Sequence, residues 1–418
     1  MTQPALARRL GLGDAVFLGL ASMIGAGVFS VWAPAAQAAG AWLLAGLVVA
    51  AAVAFANATA SAQLAAVYPT SGGTYVYGRE VLGPWWGFAA GWSFVIGKTA
   101  SCAAMAFTFA AYAVPDAWQR PAAAAAVAAL CAVNLLGVTR TARLARILVV
   151  LVLAALVVFV AVLVAPPAYH TSGSALVVGV STGGPWGILP AAGLLFFAFA
   201  GYARIATMGE EVRDPARTIP RAIPIALGIV LVVYLAVGAV LVGQFGALRT
   251  AASPAPLVDA IVQIAHRDWA ATVVQIGAAL AALGALLSLL TGIGRTTLAM
   301  ARNADLPRWL AAVERRRQVP HRAEIALALV VIALVLTTDL RGAIGFSSFG
   351  VLLYYFVANL AALRQGGARR TLRWVPWFGM LGCAALVLTL PWQSIALGTA
   401  ILAAGFLLRA VRSRAAAS

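Results

Sequence analysis

Long apolar runs separated by short polar connections fill almost the whole chain. A helix needs about 20 apolar residues to cross a hydrocarbon core about 30 Å thick. A window of that length predicts spans at roughly 12–38, 41–66, 85–113, 121–138, 146–165, 187–211, 221–244, 270–301, 323–338, 343–363, 374–390 and 393–410. The expected fold is therefore an all-α polytopic membrane protein of twelve transmembrane helices, a single membrane domain over residues 1–418 with no long soluble segment. Between the seventh and eighth spans, the amphipathic LVDAIVQIA predicts a short surface helix.

Composition supports that pattern. The chain is 63% hydrophobic and 10% charged, with a mean hydropathy of +0.95, whereas soluble domains carry about 25% charged residues. A net charge of +17 raises the question of nucleic-acid binding, but the basic residues punctuate apolar runs and do not share one soluble face. With a cytoplasmic N-terminus, 22 arginines fall in inner loops and tails, and only Arg120, Arg249, Arg267 and Arg341 fall outside. That asymmetry follows the positive-inside rule and puts both termini in the cytoplasm. The excess is topological, with lipid headgroups as its partner and no nucleic acid. Arg8, Arg9 and the following apolar run imitate a signal peptide, yet about a dozen further runs favour a retained first span. Cys102, Cys131 and Cys383 lie in apolar runs without paired spacing, which implies no disulfide framework, metal or cofactor. The absence of a His, Asp, Glu or Cys cluster near one interface argues against a membrane enzyme.

Two spans carry interruptions. In GLASMIGAGVF, residues 19–29, Gly25 and Gly27 bracket Ala26 in mid-membrane, where unwinding from Ser22 to Gly27 would free N–H groups for a carboxylate. Small-residue helix packing is the structural alternative. In FFAFAGYARIATMGEE, residues 196–211, Gly201 sits in mid-span and Arg204 follows. Two breaks five spans apart point to inverted repeats over about 12–165 and 187–363, with two extra helices over about 374–410.

Lys98, in GWSFVIGKTASC, is the only lysine of the chain. It lies near the middle of the third span, where a charged lysine costs about 2.5–3.5 kcal/mol. Its side chain is shorter than the ~15 Å to either interface, so snorkelling does not account for it. At helical spacing it shares a small, partly polar stripe with Gly87, Gly91, Phe94, Ser101, Cys102 and Met105, so it is expected to point inward.

These segments resemble the amino acid–polyamine–organocation superfamily of permeases. GLASMIGAGVF is similar to the G-x-G-x-I-I-G-x-G-I-F signature of its first helix. YPTSGGTYVYGREVLG, residues 68–83, resembles the segment between helices 2 and 3. FFAFAGYARIATMGEEVRDPARTIPRAI, residues 196–223, resembles helix 6 and its continuation, and GRTTLAMARNADLP, residues 294–307, the end of helix 8. The resemblance implies a five-plus-five inverted repeat of the leucine-transporter type with helices 1 and 6 broken, alternating access, and transport of amino acids or related amines.

By the same resemblance, Gly25, Ala26 and Gly27 form the break that binds the substrate carboxylate, through the amides of Ala26 and Gly27. The carbonyls of Met23, Phe197, Ala198 and Ala200, beside Gly201, meet the α-amino group. Phe199 and Tyr202 are candidate aromatic gates, with ordinary packing as the alternative. Two departures stand out: the first signature glycine is Ala21, and Val152 occupies the fifth-helix position where proton-coupled members carry lysine. Lys98 is the candidate replacement, either cycling between charged and neutral forms or standing where sodium binds in other members, and the alternative is a structural amine on carbonyls at a helix break. Ser288 is a further candidate ion ligand. Arg295, paired with Asp14 or Glu210, is a candidate inner gate, and headgroup snorkelling is its alternative.

The expected function is a plasma-membrane secondary transporter, a symporter carrying amino acids with protons, and sodium less favoured. The competing readings are a polyamine or organic amine exchanger, disfavoured by the lack of an acidic side chain at the site, and a non-transporting amino acid sensor.

Overall fold

The computed structural model describes residues 10–25, 27–68, 72–136, 141–165, 184–202, 205, 212–314, 319–366 and 372–415. These residues are almost entirely helical. They contain no sheet, only one parallel pairing of Leu10 with Val212. In lipid a helix meets all its own backbone polar groups, which is why runs of Ala, Leu and Val adopt it here.

The helices are α1 (Leu12–Ile24), α2 (Gly27–Ser30), α3 (Trp32–Ala39), α4 (Leu43–Val67), α5 (Thr74–Leu82), α6 (Pro84–Ala113), α7 (Gln119–Leu135), α8 (Thr141–Val164) and α9 (Ile188–Phe199). They continue with α10 (Pro215–Val240), α11 (Ala247–Ala252), α12 (Pro256–Ala260), α13 (Asp268–Arg302), α14 (His321–Thr337), α15 (Leu340–Arg364), α16 (Trp374–Leu388) and α17 (Trp392–Ala415). Among the described residues, nine helical segments are long and apolar enough to cross a membrane. The helices α7 and α14, of 17 residues each, and α16, of 15, fall at other expected spans but are shorter. The protein is thus an all-α, multi-pass membrane protein.

Local chemistry sets several helix starts. Pro84, Pro215 and Pro256 each occupy a first turn, where the missing N–H costs nothing. Gly83, at φ +104°, makes the reversal between α5 and α6 in a region that side chains rarely enter. Asp339 caps α15 by accepting from the Gly342 amide at 2.7 Å. The LVDAIVQIA helix forms as expected of an amphipathic surface segment. Leu257, Ala260 and Ile261 are buried where it packs against α8 and α13, while Val262 and Gln263 are exposed.

Small residues bring the central helices together. A methyl on Gly97 would lie 3.1 Å from the Cα of Gly350, so α6 and α15 pack backbone to backbone. Ser101 and Ser347 share a hydrogen bond of 2.6 Å across the same seam. This contact fixes the rotation of α6, and with it the direction of Lys98.

Candidate functional site

The helix α1 stops at Gly25, whose φ of −16° and ψ of −127° depart from helix, and winding resumes at Gly27. The second interruption follows α9, where Ala200–Tyr202 form a tighter turn. The two breaks meet. A methyl added to Gly27 would come within 2.9 Å of the Ala198 Cα, and one added to Gly201 would run into the Ser22 carbonyl. Glycine at both positions lets backbone touch backbone where carbonyls have lost their helical partners.

Protein donors cover those carbonyls. The Tyr234 hydroxyl, from α10, reaches the Met23 carbonyl at 2.7 Å and the Ala198 carbonyl at 3.1 Å, spanning both breaks. The Ala200 carbonyl accepts from Lys98 Nζ at 3.2 Å and from the Tyr355 hydroxyl at 3.2 Å. Lys98 is 7% exposed. Its inward direction agrees with the small-residue stripe, of which Gly87, Gly91, Ser101, Cys102 and Met105 are also buried.

Aromatic rings surround the breaks. Phe199 is fully buried, its ring centroid 5.2 Å from Tyr234, while Tyr202 stacks on Tyr355 at 4.8 Å. Tyr234 also meets Trp32 edge-on at 6.4 Å. Just beyond the first break, Tyr112 donates to the Phe29 carbonyl at 3.2 Å. Met23, Gly25, Gly27, Phe197, Ala198, Phe199, Ala200, Gly201, Tyr202 and Lys98 therefore form one neighbourhood. Ala26, Arg204 and Glu210 lie outside the described residues.

The remaining candidates lie apart from it. Ser288 and Arg295 are exposed on α13. Asp14 accepts from the Gly11 amide at 3.0 Å and pairs with Arg146, not with Arg295. Arg146 in turn lies over the Phe17 ring at 5.5 Å. Arg295 is within electrostatic reach of Glu324 on α14, whose Cγ would lie 3.1 Å from a methyl on Gly294.

Sequence reasoning did not find Tyr234 or Tyr355, the two hydroxyls that cover the freed carbonyls. Their one signal is a phenol within an otherwise apolar span. It also missed the polar contact joining α4, α15 and α16, where Asn359 Nδ2 donates to Asn57 Oδ1 at 2.6 Å and Asn57 Nδ2 to Cys383 Sγ at 3.2 Å.

A family profile described as amino acid permease matches residues 10–414. An uncharacterized transporter of Mycobacterium tuberculosis is 57% identical over 412 residues, covering 97% of this chain and 92% of its own. Branched-chain amino acid permease BcaP of Bacillus subtilis is 25% identical over 426 residues, covering 94% and 90%. Cationic amino acid transporter 4 of Homo sapiens is 28% identical over 380 residues, covering 85% of this chain and 60% of its own.

Proposed function

This chain belongs to the amino acid permease family, within the amino acid–polyamine–organocation superfamily, and from that premise we propose that it moves amino acids across the plasma membrane by alternating access, as a proton-coupled secondary transporter. The observation that carries the reading is the contact of two interrupted helices through Gly27 and Gly201. It gathers main-chain donors and acceptors in mid-bundle, as a zwitterion requires. In this reading α7, α14 and α16 complete twelve spans, two five-helix repeats place the breaks opposite each other, and both termini face the cytoplasm.

Substrate carboxylate binds the first break around Gly25–Gly27. The α-ammonium displaces the Tyr234 proton from the Met23 and Ala198 carbonyls, a change a rotating hydroxyl accommodates at small cost. Phe199 and Tyr202 close over the substrate. Lys98 supplies the coupling site in place of the fifth-helix lysine, with Cys102 on its own helix, Tyr355 sharing the Ala200 carbonyl and Tyr202 stacked on Tyr355. Ser288 leaves a sodium role as the lesser alternative.

The test is uptake into proteoliposomes with and without sodium, then with an imposed pH gradient. Acceleration by an inward proton gradient and indifference to sodium are expected, and Lys98→Met should remove the pH response. Full pH-dependent uptake by that variant would end the coupling role. The inner gate forms when the site faces outward, where Asp14 exchanges Arg146 for Arg295; Asp14→Arg combined with Arg295→Asp should then restore uptake that either single change loses, and failure to rescue would dismiss the pairing.

A further inference from the structure

Three donors already occupy the acceptor carbonyls of the two breaks, and they are not equivalent. The hydroxyls of Tyr234 and Tyr355 can turn away and accept in their place. The Lys98 ammonium can only donate, and it is fixed to the Ala200 carbonyl at 3.2 Å by the close packing of α6 on α15. Of its three donor positions, that carbonyl takes one. Among the described residues no carboxylate forms an ion pair with Lys98. A buried cation without a counter-charge is costly, and a carboxylate brought to it gains both charge and hydrogen bonds.

We infer that Lys98 is a substrate-selecting residue, and that the counter-charge it lacks among the described residues is the side-chain carboxylate of an acidic amino acid. The inference rests on the amino acid transport reading and names its substrate class. The α-ammonium takes the Met23 and Ala198 carbonyls released by Tyr234, while the Ala200 carbonyl stays with Lys98, whose free donors meet the second carboxylate. A substrate with a cationic side chain would bring like charge to the same buried place. The site therefore ranks acidic substrates above neutral ones and neutral above basic ones, unlike what the name of the human relative says of that protein.

The experiment is competition against labelled glutamate uptake in proteoliposomes holding the full-length protein, with aspartate, leucine and arginine as competitors. Aspartate should compete best and arginine worst, by about a hundredfold in concentration, given the strength of like-charge repulsion in a low-dielectric site. Lys98→Met should lose that ranking, and Lys98→Arg, which keeps the charge, should retain the preference for acidic over basic competitors. Size-exclusion profiles of both variants confirm that folded protein is compared. Leucine or arginine transport without glutamate transport would overturn the inference and leave the transport reading standing, as would an unchanged ranking in Lys98→Met. Absence of flux for every amino acid would overturn both.

Discussion

Lys98 and Asp305 are both buried charges, yet their surroundings differ. Asp305, in the turn after α13, is met by Arg409 Nε at 3.0 Å, Arg79 Nη1 at 3.4 Å and the Tyr75 hydroxyl at 2.8 Å. Arg409 also donates to the Pro84 carbonyl at 2.7 Å and lies 4.5 Å over the Trp85 ring. Burial, and then the Asp305 acceptor beside it, push the Tyr75 phenol up to about 12, so it remains a donor at neutral pH. Among the described residues Lys98 by contrast donates to a single carbonyl. A charge whose partners are complete holds helices together, here α5, α13 and α17. One whose partners are incomplete keeps binding capacity for something that comes and goes.

Stability separates the two regions first. Asp305→Ala removes the buried anion that the mostly covered Arg409 and the part-exposed Arg79 share, and a broken buried pair costs up to about 3–5 kcal/mol. The expected result is a large fall in the thermal midpoint of the purified protein. Lys98→Met removes an uncompensated buried charge and keeps an apolar stem of similar volume, so its midpoint should be unchanged or higher even as transport changes. Equal destabilisation by both would erase the distinction. Next in size, Tyr234→Phe strips a hydroxyl from the Met23 and Ala198 carbonyls, at about 1–3 kcal/mol for the acceptors left unmet. It should lower the midpoint and also weaken uptake, because the same carbonyls serve the substrate. The smallest effect belongs to Asp14→Asn. Its partner Arg146 is half exposed, and such pairs contribute about 0–1 kcal/mol, so only a marginal shift is expected in the same melting assay.

The features that could be read from the sequence were those that violate the local rule of an apolar span. Gly25, Gly27 and Gly201 interrupt helices, and Lys98 is a lone charge whose neighbours at helical spacing are small; both kinds of signal are local. Tyr234 and Tyr355 reach carbonyls far away in sequence, and nothing in their own segments distinguishes a hydroxyl aimed at a helix break from a packing aromatic. Arg79 and Arg409 illustrate a second limit. Charge asymmetry read them as topological, and no periodicity indicates that α5 and the C-terminal half of α17 converge on Asp305. Asp14 followed the same pattern: its charge suggested a gate with Arg295, whereas the packing of α8 beside α1 supplies Arg146.

The central claim is that the meeting of the two broken helices is the path of an amino acid. Counterflow in proteoliposomes tests it most directly, comparing wild type with Gly201→Ala, whose methyl meets the Ser22 carbonyl, and with Gly228→Ala, whose methyl meets nothing within 4 Å. Saturable amino acid counterflow in wild type and Gly228→Ala, lost in Gly201→Ala, is the predicted result. No counterflow of any amino acid by the wild type, or equal rates in Gly201→Ala, would contradict it.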